Sequence, residues 1–161
     1  MYSPDPGTTS EESSTAAAFP SWVPPVAEPA LSLEAVVLLP LVNAAVLEDL
    51  EAELAGPALA KRFAQDYADM WDQRYTRLAA AVERQDVAAC LDAAISLKIT
   101  SAMLGGERLS KLAELLENVV RQGDFGQGRL LMERVAVDGS QTVSELQSTY
   151  IAAGGQDLEH T

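Results

Sequence analysis

The chain has one histidine, one cysteine and few cations, and each scarcity excludes something. A single cysteine, Cys90, rules out a disulfide framework and suits a reducing compartment. Zinc normally takes three or four Cys and His ligands, so no metal site and no bound cofactor is expected. Any Ser-His-Asp or Cys-His machinery would have to use His160, next to the last residue and in a stretch expected to fray. Against 24 acidic residues stand only 11 lysines and arginines, for a formal net charge of -13. Such a surface repels phosphate backbones and anionic lipid heads, which argues against nucleic acid and membrane as partners. No long hydrophobic run is present. The most apolar stretch, Leu31 to Leu47, is broken by Glu34, Pro40 and Asn43 and is short for a bilayer span. The first 31 residues carry no Lys or Arg, so there is no basic start of a secretory signal. The expectation is a soluble, cytoplasmic protein that is not an enzyme.

Proline is nearly absent from the body of the chain. Six of the eight prolines fall in residues 1–30, among Ser, Thr and four acids. That composition cannot bury enough apolar surface to offset the entropy of ordering, so residues 1–31 read as a disordered tail. Phe19 and Trp22, set among its prolines, are either a short docking motif or idle. From residue 32 to 153 the chain reads as helices divided by helix punctuation, and 154–161 as a flexible end. One helix spans about 43–54, stopped by Gly56 and followed by Pro57 as a first-turn residue. The next runs from 58 to 84, with Leu59, Phe63, Tyr67, Met70, Leu78 and Val82 at helical spacing. Asp86 is a good N-cap for a third, which Gly105-Gly106 ends. A fourth runs from Glu107 to about Gln122. Gly123 to Gly128 forms a turn, and a fifth helix extends to about Ala152. No segment alternates apolar and polar residues as a strand does. The fold class is therefore all-α: an antiparallel up-down four-helix bundle with an N-terminal helical addition and a disordered tail.

Asp124-Phe125-Gly126 repeats the magnesium-binding tripeptide of protein kinases. The chain is too short for a kinase and has no Gly-rich phosphate loop. Asp66, Asp69 and Asp72 span too wide an arc to chelate one metal and read as a solvated face. Trp71 and Tyr75, four apart, can stack on each other, either flanking the core or beside a partner surface.

The third helix has two apolar sides. Val87, Cys90, Ala94, Leu97, Ser101 and Leu104 are spaced 3, 4, 3, 4, 3, a seam for a bundle core. At about 100° per residue, Ile95 points roughly 130° and Ile99 roughly 170° from the middle of that seam. With Ala88 and Met103 they make a second apolar stripe, with Asp92 among them, on the side expected to be wet. A contiguous apolar stripe marks either an interaction surface or a surface covered by the chain itself, for instance by residues 31–42.

The segment from Ala94 to Leu109 (Ala-Ile-Ser-Leu-Lys-Ile-Thr-Ser-Ala-Met-Leu-Gly-Gly-Glu-Arg-Leu) resembles the signature of histidine-containing phosphotransfer (HPt) domains. That signature reads roughly Ala-His-x-Leu-Lys-Gly-x-Ser-x-x-Leu-Gly-x-x-x-Leu. Tyr67, Leu78, Arg84-Gln85-Asp86, Leu116-Glu117 and Gly123-Asp124 extend the resemblance over about residues 43–152. It implies a bundle of the HPt type and a place in two-component or phosphorelay signalling. Two departures stand out. The phosphoaccepting His of the family falls on Ile95, and the small Gly four residues on falls on Ile99. Isoleucine has no lone pair to attack an aspartyl phosphate. Lys98 keeps the place that helps neutralise phosphate in the family, or is a solvated lysine lying along the seam. Cys90 reads as a small buried apolar residue. The resemblance thus implies a non-catalytic binding module with no catalytic residue. Its expected partner-binding face is Ala88, Leu91, Asp92, Ile95, Lys98, Ile99, Ala102 and Met103. The expected partner is a response-regulator receiver domain or a histidine kinase. The other reading is a helical dimerisation or scaffold module, whose Ile95/Ile99 stripe binds a second copy or an unrelated protein.

Overall fold

In a computed structural model of the protein, residues 33–152 are described. The described residues fall into two units, the first ending at Ala35 and the second beginning at Val36. A one-turn helix, α1 (Leu33–Val36), opens the described part. The expected tail 1–31, with Phe19 and Trp22, and the flexible end 154–161, with His160, lie outside the described residues.

Among the described residues of the second unit the regular structure is all helix, with no strand. α2 (Ala44–Glu53) and α3 (Pro57–Asp69) precede α4 (Trp71–Arg84), α5 (Val87–Met103), α6 (Glu107–Arg121) and α7 (Phe125–Glu145). A π-helical stretch, Leu146–Ile151, continues α7. α4, α5, α6 and α7 each pack on the next and α7 closes back on α4, giving the expected four-helix bundle. α2 and α3 are the helical addition, α3 packing on the π-helical stretch and α2 on α3 and α5. The core is aliphatic, with Leu78, Leu104, Leu109, Leu112, Leu116, Val82, Val120, Val135 and Leu146 all but inaccessible.

The punctuation acts as the residue types dictate. Asp86 Oδ1 accepts from Ala89 N at 3.1 Å and caps α5. Asn43 Oδ1 does the same for α2, accepting from Ala45 N at 3.0 Å. Gly105 takes a left-handed φ of +80° between α5 and α6, and a β-carbon there would strike the Asn43 backbone. The Asn43 amide donates to Gly105 O at 2.8 Å and its Nδ2 to Glu107 Oε2 at 2.7 Å. One asparagine therefore starts α2 and pins it to the α5–α6 turn.

Four expectations need correction. The helix expected over 58–84 is two helices, divided at Met70, whose φ of -94° and ψ of 0° depart from the helix. Neither glycine nor proline marks this break. It lies next to Trp71, whose buried indole seats over Gly139 of α7. Leu59 and Met70, placed with the apolar face of that helix, are instead exposed. The turn expected over Gly123–Gly128 is only half a turn, because Asp124 Oδ1 accepts from Gln127 N at 3.0 Å and starts α7 at Phe125. Capping outweighs the weak helix propensity of Gly126 and Gly128. This accounts for Asp124-Phe125-Gly126 as a cap, a buried anchor and a helical glycine. Lastly, Val87 is 43% exposed and leaves the seam. As the first residue of α5, at the edge of the seam's arc, it lies beyond the core that buries the next turn.

Candidate functional site

α5 presents to solvent the face on which the candidate residues lie. Cys90, Ala94, Leu97, Ser101 and Leu104 are buried, so the expected seam is the core side of this helix. Burial also pushes the Cys90 thiol up from its ordinary pKa, keeping it a neutral apolar residue. On the far side, Ala88, Asp92, Ile99, Ala102 and Met103 are exposed, Ile99 by 52% and Met103 by 42%. Ile95 is half-buried, in keeping with its smaller angle from the seam. Leu91 and Lys98 are also half-buried, and Leu91 packs against the core cluster, so it forms the edge of the face.

Of the 31–42 segment, residues 39 and 40 are held at the start of α6. Arg108 N donates to Pro40 O at 3.2 Å and Arg108 Nε to Leu39 O at 3.0 Å. Residues 39–43 thus run along the Gly105–Gly106 turn and the start of α6. α2 follows them and borders the C-terminal end of the stripe, where Val46, Asp49, Leu50, Glu53 and Met103 line a shallow depression.

Lys98 is not a free lysine. Its Nζ lies 2.8 Å from Glu117 Oε1 on α6, and Arg121 Nη2 binds the other carboxylate oxygen at 2.7 Å. The Lys98 and Arg121 hydrogen bonds hold the buried Glu117 carboxyl below the usual carboxylate range. Ser110 Oγ donates to Lys98 O at 2.9 Å and ties the same turn of α5 to α6. Sequence reasoning matched Glu117 to the resembling family without foreseeing this pair, since 19 residues separate the partners. A carboxylate with a lowered folded pKa stabilises the fold above its unfolded pKa of about 4.3. That stabilisation is lost as pH falls through the lower folded value. Glu117→Gln should therefore lower the melting temperature at pH 7 and narrow its difference from the parent on acidification to about pH 3. An equal deficit at both pH values in thermal melts would mean that the ion pair contributes nothing.

Behind the seam, the Tyr67 hydroxyl and Ser101 Oγ are 2.6 Å apart in the core. Burial, opposed in part by this hydrogen bond, pushes the tyrosine pKa up to about 12. The pair joins α3 to α5, and so ties the addition to the helix that carries the candidate face.

Trp71 and Tyr75 do meet, with ring centroids 5.9 Å apart, and Trp71 is buried in the core. Asp66, Asp69 and Asp72 are exposed and spread along α3 and α4. Among the described residues no group of three His, Cys, Asp or Glu could hold a metal ion, and no helix is long and apolar enough to cross a membrane.

A further feature of this region invisible in single-helix patterns is a cleft between α4 and α5. Arg74, Arg77, Arg84, Asp92 and Ser96 give it its polar wall, and Arg74 Nη1 donates to Ser96 Oγ at 3.1 Å.

A comparison with family models gives one described as Hpt domain, matching residues 62–153. No curated protein and no solved structure matches the chain. The matched segment runs from α3 to the end of the described helices. It includes the whole four-helix bundle and the whole candidate face.

Proposed function

The chain belongs to the Hpt domain family, a family of phosphorelay signalling carriers rather than enzymes, and on that premise we propose that it is a non-catalytic member. It docks a response-regulator receiver domain or a histidine kinase through the exposed face of α5 and accepts no phosphate. The observation that carries this reading is Ile95. It stands where the family signature has its phosphoacceptor histidine, on the outward side of α5, with the exposed Ile99 one turn on. An aliphatic side chain has no nucleophilic atom, whereas transfer needs a positioned imidazole nitrogen. The engagement of Lys98 with Glu117 supports the same reading, because its charge is already satisfied within the bundle. Ala88, Asp92, Ile99, Ala102 and Met103 form the open part of the docking face, with Ile95 at its centre and Leu91 and Lys98 at its edge. An apolar patch of this kind marks an interaction surface, and a few central apolar side chains can carry most of its affinity for a partner. Such a protein sequesters or scaffolds its partner, or competes with a member of the family that carries the histidine.

The purified chain mixed with a phosphorylated receiver domain should bind it in a pull-down and gain no label. Acid-labile, base-stable phosphate on the chain would end the reading. In the parent chain's place, Ile95→His combined with Ile99→Gly should confer measurable transfer, since Leu97 and Ser101 of the signature are in place. A face that takes a second copy of the chain would instead show as a dimer in sedimentation, lost on placing charge at Ile99.

A further inference from the structure

Beyond the docking face, the cleft between α4 and α5 holds cations that the rest of this acidic protein has not paired. Seven of the eleven basic side chains have a carboxylate within 4.0 Å: Lys61, Arg84, Lys98, Lys111, Arg121, Arg129 and Arg134. Arg108 gives its Nε to the Leu39 carbonyl. Among the described residues Arg62, exposed on α3, stands alone without a carboxylate, and the other two unpaired cations are Arg74 and Arg77, although acids outnumber bases by more than two to one. Both line the cleft, and Arg84, three turns along the same side of α4, extends its field.

The local geometry favours an oxyanion. Arg74 lies in the first turns of α4, where the helix N-terminus adds positive potential. Its Nη1 is held by Ser96 Oγ at 3.1 Å, while its buried Nε has no hydrogen-bond partner. An unpaired buried N–H is costly, and the Nε–Nη edge is the one through which arginine grips an oxyanion bidentately. The cleft has a volume of about 160 Å³, enough for one small anion and too little for a nucleotide. Two guanidinium groups and a hydroxyl offer more donors than a two-oxygen carboxylate can accept. A phosphate group, with three terminal oxygens, matches them better.

We propose that the cleft between α4 and α5 is an oxyanion site in which Arg74 and Arg77, with the Ser96 hydroxyl, hold a phosphate group. Asp92 lines the same cleft without pairing either arginine within 4.0 Å, and it sets the affinity by repelling the anion. Ser96 directly follows Ile95 in the chain, yet points about 100° away from it. The site therefore lies beside the docking face and shares only Asp92 with it.

The test is a titration of the full chain with inorganic phosphate at constant ionic strength, read by NMR on the arginine Nε–Hε signals and the Ser96 amide. Saturable shifts at Arg74, Arg77 and Ser96 are expected. Arg77→Gln should weaken binding about tenfold, the value of one charged hydrogen-bonding group. Arg74→Gln with Arg77→Gln should abolish it, and Asp92→Asn should strengthen it. Arg77 is exposed, so its variant stays folded and informative even if a change at Arg74 does not. Running O-phosphoserine beside inorganic phosphate separates a site for a phosphate ester from one for the free ion, according to which binds more tightly. Shifts that rise linearly and are matched by chloride, or that persist in the double variant, would overturn the proposal. Receiver binding is not part of this readout, so either reading can fail while the other stands.

Discussion

Gly139→Ala should destabilise the protein although alanine is the better helix former. A β-carbon at residue 139 would overlap the Trp71 indole at Cζ2 and Cη2. The gain in helix propensity is about 1 kcal/mol. Against it, overpacking a close-packed interior costs about 1–3 kcal/mol, and more where the obstacle is rigid. An indole is rigid, it is buried, and it sits on the first residue of α4, immediately after the break at Met70. Moving it means moving the helix. Gly139→Val should be worse, about 3 kcal/mol or more, because it adds two further methyl groups and regains less propensity. For a chain of this size each kcal/mol corresponds to about 2–4 °C in melting temperature. The cost should shrink when Trp71→Leu is introduced in the same chain, since the collision is then removed and the two changes are coupled. Additive losses in thermal melts of the single and double variants would show that the indole does not rest on Gly139.

That contact also marks where a sequence stops being legible. The core side of α5 could be read from a 3, 4, 3, 4, 3 spacing, because burial on one helix is a matter of angle. The cap at Asp86 was read in the same way, and those at Asn43 and Asp124, which were not, also come from side chains that reach their own backbone two or three residues on. All of these are local. The break at Met70 is not, because it adjoins Trp71, whose indole meets Gly139 far along the chain in α7. The Lys98–Glu117 pair and the cleft of Arg74, Arg77 and Ser96 each need two helices brought side by side. Periodicity gives the direction in which a side chain points, but not what it meets there. On α5 itself the angle still ranked exposure correctly, with Ile95 half-buried at about 130° and Ile99 open at about 170°.

Ile95→Glu with Ile99→Lys should leave the fold nearly intact and abolish partner binding. The open position of Ile99 implies a stability cost well under about 1 kcal/mol, against about 2–5 kcal/mol for truncating a buried isoleucine. Ile95 is half-buried, so its change costs more, on the order of 1 kcal/mol. A Glu four residues before a Lys on one helix face returns about 0.2–0.5 kcal/mol of that. The pair adds one charge of each sign, so the formal net charge of -13 is unchanged. Long-range attraction or repulsion of a partner therefore stays the same, and any loss of binding is local to the face. If the two isoleucines are the centre of that face, charges there must be desolvated on docking. A central anchor lost in this way typically costs 2 kcal/mol or more, about thirtyfold or greater in affinity. The measurements are far-UV circular dichroism with a thermal melt, and calorimetric titration with a receiver domain that the parent chain binds. A folded variant that binds as tightly as the parent would remove the docking face from α5. A variant that unfolds would mean that another part of the chain covers these isoleucines, and the physical basis for docking there would go with it.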